Sequence, residues 1–342
     1  MVQGKEKRAT IKDIAKQAGV SNMAVSLALN GKPGLSAETR EKICRVAREL
    51  NYVPNNVARS LQKDQTHTLG VVNSNTSATV FGKVWRGIEQ TAEAAGYTTL
   101  IASTDERYDR EQQAINNLLN RRVDGLLIIA PVSMGVQEIR RIQEFGIPLV
   151  FLLRRDEYNL TDACLNDNVG GAHRMMCHLL EQGCRTFLFL ALPAVITSGT
   201  ERMMGYARAL KEHGIEPRDQ KFHITEPNIQ AGYEAMRQEL EQGTQVDAVV
   251  CACDMIAIGA LKALREAHIG VPDAVRVVGY DDVESAEHLS VPLTTVHQPY
   301  EEIGQVGTQL LLERMKDPSM LPRQVILGNR LELRASSMKE KE

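Results

Sequence analysis

The 342-residue sequence predicts an all-α helix-turn-helix N-terminal domain, followed by a larger α/β region with two lobes of parallel, doubly wound sheet. Three observations predict this fold class. Short, capped helical segments follow one another within residues 10–50. From Leu69 onward, short apolar runs alternate with amphipathic helical stretches, which is typical of parallel strands joined by crossover helices. The alternating region, residues 69–336, is long enough for two such lobes.

The first element is a helix that begins at Ile11. Thr10 is suited to cap it, because Asp13 follows close to the capping-box position. Apolar residues then recur at helical spacing until Gly19 ends the helix. Ser21 caps a second helix at residues 22–29. Two helices joined by a three-residue turn with glycine form a helix-turn-helix.

A third helix completes the N-terminal domain. Ser36 caps it, and its apolar face extends to Leu50. We therefore assign residues 1–53 to the helical domain. Residues 54–68 follow as a hinge and linker, in which the possible helix is too short to be stable alone.

The apolar runs of the α/β region define its strands. These runs are LGVV, YTTLIAS, VDGLLIIA, IPLVFLL, TFLFLAL, VDAVVCA and VRVVGY. Neither GxGxxG nor GxxxxGK[ST] follows any of them. Binding of a nucleotide through those phosphate loops is therefore disfavoured.

Charge is distributed unevenly along the chain. Residues 1–62 contain 11 Lys+Arg and 5 Asp+Glu, a net charge of +6, whereas the remainder has a net charge of −9. A basic end on an acidic body suggests that the end meets a polyanion. A merely solvated charged end would give the same composition.

Other residue patterns argue against cofactor and catalytic chemistry. The six cysteines have no framework spacing, and we interpret them as reduced thiols. Cys251 and Cys253 fall within an apolar strand-like run and have no accompanying ligand pair, so we predict no metal and no cofactor. The carboxylates near Asp281 have no nucleophile beside them, so we expect no enzyme activity.

No apolar run approaches the length needed to cross a membrane. The charged start of the chain, MVQGKEKRAT, is not a secretory signal. We therefore expect a cytoplasmic protein.

The N-terminal block carries a specific resemblance. TIKDIAKQAGVS is followed in order by AVS, LNG, ETR and LNYVPNNVARSL. This block resembles the LacI/GalR family of bacterial transcription regulators, and the likeness continues through VDGLLI, GYARALKEHGI, CDMIAIGALKALREA, VPDAVRVVGYDDV and PLTTVHQP, from about residue 10 to residue 336.

The resemblance implies a function for each part. The body, residues 69–336, would have the periplasmic-binding-protein-like fold, hold a small-molecule effector between its lobes and form the homodimer. The dimer would bind a pseudo-palindromic operator on double-stranded DNA as a sequence-specific regulator, and we expect a repressor. A sugar or a related metabolite, such as a sugar phosphate or nucleobase, is the expected effector.

The resemblance also implies DNA-contacting residues in the N-terminal helical domain, residues 1–53, which we call the head. Asn22, Met23 and Leu27 match the base-reading positions; asparagine pairs with adenine, and methionine and leucine contact a thymine methyl. Leu27 departs from the family's frequent arginine or histidine, which puts guanine reading there in doubt. Packing of Met23 and Leu27 on the third helix is the alternative. The residues placed to hold phosphate oxygens are Thr10, Ser21, Ser26 and Asn30.

The hinge would act at the minor groove. By the resemblance, Leu61 inserts at the operator centre and kinks the duplex, with Ala58 and Arg59 at the same groove. An ordinary leucine beneath the linker is the alternative.

The effector-binding residues are also carried over from the resemblance. They are Asn75, Val80, Phe81, Ser198, Arg202, Asp254, Asp281 and Gln298. Each could instead be a structural polar residue between the lobes. The family's N-P-F-F loses one aromatic here, and Leu153 replaces an acidic residue, so the ligand class is open. We expect Trp85 at the dimer interface, with ligand stacking as its alternative.

Two rival functions belong to other classes. A small-molecule binding protein for transport would not bind DNA in a gel shift. An enzyme on a doubly wound scaffold would turn over an identified ligand.

Overall fold

The computed structural model of the protein describes residues 9–52, 65–74, 78–105, 107–129, 134–156, 158–194 and 196–338. The chain divides into two compact units, Met1–Thr66 and His67–Glu342. The predicted hinge residues Ala58, Arg59 and Leu61, and the predicted effector-binding residue Asn75, lie outside the described residues.

The first unit contains the three predicted helices: α1 (Ile11–Ala18), α2 (Asn22–Leu29) and α3 (Ala37–Glu49). Thr10 and Asp13 form a capping box on α1. Gly19 ends that helix in the left-handed conformation, with φ of 67°. The Ser21 hydroxyl accepts the Ala24 N–H at 3.1 Å and so caps α2. Fully buried apolar side chains join the three helices; they are Ile14, Ala18, Val25 and Ile43.

The larger unit has two lobes, each built around a parallel sheet. The strands of the first lobe are β1 (Thr68–Asn73), β2 (Thr98–Ser103), β3 (Gly125–Ile129), β4 (Leu149–Leu152), β5 (Asp162–Asn166) and β11 (Gln324–Leu327). They pair in the order β11-β5-β4-β3-β1-β2. Helices α4 (Ala78–Ala94) and α11 (Tyr300–Lys316) pack on one face, and α5 (Tyr108–Asn120) and α6 (Val136–Glu144) on the other. The lobe is therefore doubly wound, as predicted.

The second lobe repeats this arrangement. Its strands are β6 (Phe187–Ala191), β7 (Lys221–Ile224), β8 (Ala248–Cys251) and β9 (Arg276–Val278), in the order β7-β6-β8-β9. Helices α7 (Asn168–Glu181) and α8 (Thr197–Glu212) cover one face, and α9 (Ile229–Glu241) and α10 (Asp254–Glu266) the other. A separate antiparallel pair, β10 (Thr295–His297) with β12 (Arg330–Glu332), packs against α7.

The chain passes between the lobes three times: after β5, after β10 and after β11. Two of these crossovers are tied together, because the Asn329 side chain donates to the Asp167 carbonyl at 2.7 Å. Gln298 lies in the crossover that follows β10. Side chains in the crossovers therefore lie where the two lobes meet.

Five strands were not predicted from the sequence, namely β5, β7, β10, β11 and β12. Strand β7 is an exposed edge with the sequence KFHI, and β5 has the polar ends of DACLN. Neither presents a continuous apolar run, so hydrophobic periodicity gave no signal. None of the helices in the described ranges is long and apolar enough to span a bilayer.

Candidate DNA-binding surface and ligand cleft

The first turn of α2 presents the predicted base-reading residues. Asn22 is exposed, and the Met23 side chain is 73% exposed, whereas Val25 on the same helix is fully buried. The alternative in which Met23 packs on α3 does not fit this exposure. Leu27 is half-buried, and its Cδ1 lies near the Gly34 backbone, so part of its surface belongs to loop packing.

The predicted phosphate-contacting residues already make local hydrogen bonds. The Thr10 hydroxyl donates to Asp13 at 2.7 Å. The Asn30 side chain donates to the Ser26 carbonyl at 2.7 Å. These bonds fix the two ends of the helix-turn-helix, and DNA contacts by the four residues stay predictions.

Arg202 is the centre of a polar cluster in the larger unit. It lies on α8, is 5% exposed, and its guanidinium stacks on the Tyr280 ring at 3.8 Å. Its Nη2 donates to Asp281 at 3.0 Å and its Nε to Asn168 at 3.2 Å, while Nη1 donates to the Ala252 carbonyl. Three separate segments of the second lobe therefore converge on one side chain.

Asp281 connects this cluster to the first lobe. The Tyr300 hydroxyl, at the start of α11, donates to Asp281 Oδ1 at 2.7 Å. Burial raises the pKa of Asp281, and the adjacent positive charge of Arg202 opposes that rise. The structure thus brings together Arg202 and Asp281, which were predicted, with Asn168, Tyr280 and Tyr300, which were not.

Asp254 lies beneath this cluster and has no exposed surface. Its two oxygens accept the Thr295 hydroxyl at 2.6 Å and the Val283 N–H at 2.9 Å. Burial, followed by the charge of Asp281, raises the pKa of Asp254 to about 8. In this arrangement the carboxyl group holds the turn that presents Asp281, and a direct effector contact stays a prediction.

Gln298 provides unused hydrogen-bonding capacity. It is 1% exposed, and neither its side-chain Nε2 nor its Oε1 has a hydrogen-bond partner in the described part of the chain. The buried Asn73 Oδ1 and Ser74 Oγ, at the carboxyl end of β1, also lack a hydrogen-bond partner among the described residues. Burying a polar group without a partner is costly, so these groups fit a site that a polar ligand completes.

The other predicted cleft residues have different environments. Val80 is 8% exposed and packs in the core between α4, α11 and the first sheet. Phe81 stacks on Trp85 with ring centroids 6.2 Å apart, and both are half-buried. Ser198 is half-buried in the first turn of α8. Effector and interface roles for these four residues stay predictions.

Asp282, His297 and Glu332 offer donor atoms that lie within 4.8 Å of one another. Asp282 already binds Arg334 at 2.8 Å and His297 at 2.8 Å, and Glu332 pairs with Arg330. Because the nearby guanidinium groups neutralise both carboxylates, we interpret this group as an ion-pair network.

The protein combines a helix-turn-helix, in which the first turn of α2 is exposed, with a two-lobed unit that has a polar cleft. This combination defines the class of ligand-responsive DNA-binding regulators. Residues 10–55 match the family model "Bacterial regulatory proteins, lacI family", and residues 176–337 match "Periplasmic binding protein-like domain".

Curated relatives agree over most of the chain. The HTH-type transcriptional repressor PurR of Erwinia tasmaniensis is 32% identical over 90% of this chain and 90% of its own length. The ribose operon repressor of Haemophilus influenzae is 33% identical over 96% of this chain and 98% of its own length. The chain therefore belongs to the LacI family and is a DNA-binding transcription regulator rather than an enzyme.

Solved structures extend the likeness to the whole fold. The lac repressor dimer bound to operator and the anti-inducer ONPF matches with a TM-score of 0.88 and 27% identity, covering 97% of this chain and 100% of that one. The complex of the transcriptional regulator CelR with cellobiose matches with a TM-score of 0.73 and 30% identity, over 96% of this chain and 100% of that one. The α/β unit therefore has the periplasmic-binding-protein-like fold.

Proposed function

We propose that the protein represses transcription in the cytoplasm as a homodimer, by binding a pseudo-palindromic operator under the control of a small-molecule effector. The exposed first turn of α2 carries the proposal. Met23 is 73% exposed beside the exposed Asn22, on a helix whose opposite face is buried, and these side chain types can contact base edges in the major groove.

On the DNA side, Asn22, Met23 and Leu27 read bases in the major groove. The residues that hold the backbone are Thr10, Ser21, Ser26 and Asn30. Ala58, Arg59 and Leu61 act at the minor groove of the operator centre. Replacement of Leu61 by alanine should lower operator affinity markedly and leave effector affinity alone; unchanged operator binding would refute its role.

The effector binds between the lobes, at the residues predicted from the family motifs: Asn75, Val80, Phe81, Ser198, Arg202, Asp254, Asp281 and Gln298. The ion pair of Arg202 with Asp281 supports an uncharged ligand, because the buried guanidinium of Arg202 already has its counter-ion. The unpartnered amide of Gln298 supports a ligand with hydroxyl groups. A sugar therefore fits better than a sugar phosphate or a charged nucleotide.

Effector binding is coupled to operator binding through the lobes. A ligand that contacts both lobes favours one relative angle between them, and so biases the dimer that presents the paired heads. Trp85 belongs to the dimer interface in this proposal. Relatives with bound ribose and with bound cellobiose support the sugar class.

The test uses the full chain and a pool of random duplex oligonucleotides at modest ionic strength. Selection should be carried out without added metabolite and again with sugars, sugar phosphates, nucleobases and nucleosides. We expect enrichment of a pseudo-palindrome, and at least one uncharged sugar that changes its retention in a gel shift. Failure to enrich any sequence under every condition would overturn the proposal.

A further inference from the structure

The carboxyl end of α2 depends on a side chain from another helix. The sequence of α2, NMAVSLAL, contains no charged residue, so its last turn has no basic group of its own. The last carbonyls of a helix lack partners within the helix and carry the negative end of its dipole. A helix of eight residues is also too short to be stable without such support.

Arg40, on α3, provides that support. Its Nη1 donates to the Leu27 carbonyl at 3.3 Å and to the Ala28 carbonyl at 3.1 Å. Its Nη2 donates to the Lys32 carbonyl in the following loop. The planar guanidinium thus joins the end of α2, the loop after it and α3 in one arrangement.

The loop after α2 contributes backbone hydrogen bonds to the same helix end, since the Gly31 N–H donates to the Ala28 carbonyl at 3.2 Å. Gly31 and Gly34 both have positive φ, at 66° and 110°, and glycine reaches many backbone conformations at little cost. The Lys32 N–H also donates to the Leu27 carbonyl at 3.0 Å. This carbonyl therefore accepts hydrogen bonds both from the loop backbone and from Arg40. These backbone bonds cap α2 without reaching α3, whereas Arg40 ties both α2 and the loop to α3.

We propose that Arg40 is a positioning residue for sequence discrimination: it holds α2 at the angle that aligns its first turn with base edges. This inference rests on the proposed DNA-binding role of α2. Loss of Arg40 then weakens binding to the cognate operator more than binding to unrelated duplex, because nonspecific binding depends on phosphate charge and not on base alignment.

The test compares Arg40→Met and Arg40→Lys with Arg45→Met in the full chain. Arg45 is an exposed arginine on the same helix, so its replacement removes the same charge and serves as the control. Affinities should be measured for the selected operator and for a scrambled duplex at several salt concentrations. We expect Arg40→Met to reduce the ratio of operator to scrambled affinity about tenfold relative to Arg45→Met, with an equal salt slope. Arg40→Lys should recover only part of the lost affinity ratio. Its ammonium group keeps the positive charge but reaches fewer of the three carbonyls.

A direct phosphate contact by Arg40 would give a different result. Both duplexes would then lose affinity equally, and the salt slope would fall by about one unit more than in the control. That outcome would overturn the proposal.

Amide hydrogen exchange in the free protein separates this inference from the proposed function. We expect Arg40→Met to speed exchange of the Gly31 and Lys32 amides about tenfold or more, and to leave the amides of α1 unchanged. Equal acceleration throughout the head would show that Arg40 merely keeps the domain folded, and would overturn the inference. If the wild-type protein selected no operator, the proposed function would fail, while exchange would still decide whether Arg40 holds α2.

Discussion

Helix α2 and the ligand cleft place their candidate functional residues in opposite environments. On α2, an apolar side chain, Met23, is 73% exposed. In the cleft, polar side chains are buried, with Arg202 at 5% and Gln298 at 1% exposure. An exposed apolar side chain is suited to a broad macromolecular surface that will cover it. A buried polar side chain without a partner is suited to a small ligand that will complete its hydrogen bonds.

This difference has an energetic consequence. Met23 makes little contact within the folded head, so its replacement changes binding and spares folding. Arg202 has an ion pair, a ring contact and further hydrogen bonds inside the fold, so its replacement changes folding and binding together. Substitution of Met23 therefore separates recognition from stability, whereas substitution of Arg202 does not.

The largest effect is expected for Arg202→Met. It leaves Asp281 buried without its cation, which should lower the free energy of unfolding by about 3–5 kcal/mol. Chemical denaturation of the full chain measures this change. Arg208→Met, on the exposed side of the same helix, removes only a surface ion pair and is the control. If both substitutions lowered the free energy of unfolding by the same small amount, the stabilising role of the buried Arg202–Asp281 pair would be contradicted.

A second effect concerns pH and is smaller within any one pH unit. The pKa of Asp254 is raised to about 8 in the folded protein, against about 3.9 in the unfolded chain. Between these values the folded state holds a proton that the unfolded state has released. The free energy of unfolding should therefore fall as pH rises through this range, by up to about 1.4 kcal/mol for each pH unit, and level off above about pH 8.

Asp254→Asn removes the titrating group and keeps one acceptor and one donor for Val283 and Thr295. The difference between wild type and this variant, followed by denaturation across the same pH range, isolates the contribution of Asp254. A difference that did not vary with pH would show that the carboxyl group titrates normally.

Gln298→Leu should act on the ligand more than on the fold. Because the amide has no partner in the described part of the chain, its loss should change the free energy of unfolding by less than about 1 kcal/mol. Affinity for the effector should fall about tenfold or more, since hydrogen bonds to the ligand are lost. Calorimetric titration of the effector identified by screening measures this. Gln309→Leu, at an exposed position of α11, should change neither quantity.

The smallest effect is expected for Met23→Ala. Operator affinity should fall about fivefold to tenfold, through loss of an apolar contact with a base. The free energy of unfolding of the head should change by less than about 0.5 kcal/mol. Gel shifts and denaturation measure the two quantities. Met204→Ala removes another exposed methionine, which is 59% exposed on α8, and is the control; equal operator binding by all three proteins would contradict a reading role for Met23.

The sequence predicted local structure better than the cleft. Helices α1 to α3 followed from caps and apolar spacing, because those signals lie within a few residues of one another. The cluster around Arg202 joins residues far apart in the chain; Arg202 and Asp281, for example, are 79 positions apart. Their pairing depends on how the strands are ordered, and local patterns do not contain that order. The family motifs gave an effector-binding role to these two residues, but not to Asn168, Tyr280 or Tyr300, which hold them in place.

The three crossovers between the lobes also have a consequence for biosynthesis. The sheet of the first lobe is complete only when β11 pairs with β5, and the second lobe then receives β12 beside β10. A ribosome must therefore release almost the entire chain before either lobe can close. A nascent chain truncated before residue 324 would expose unfinished sheet edges in both lobes, and cellular proteases would be expected to remove it.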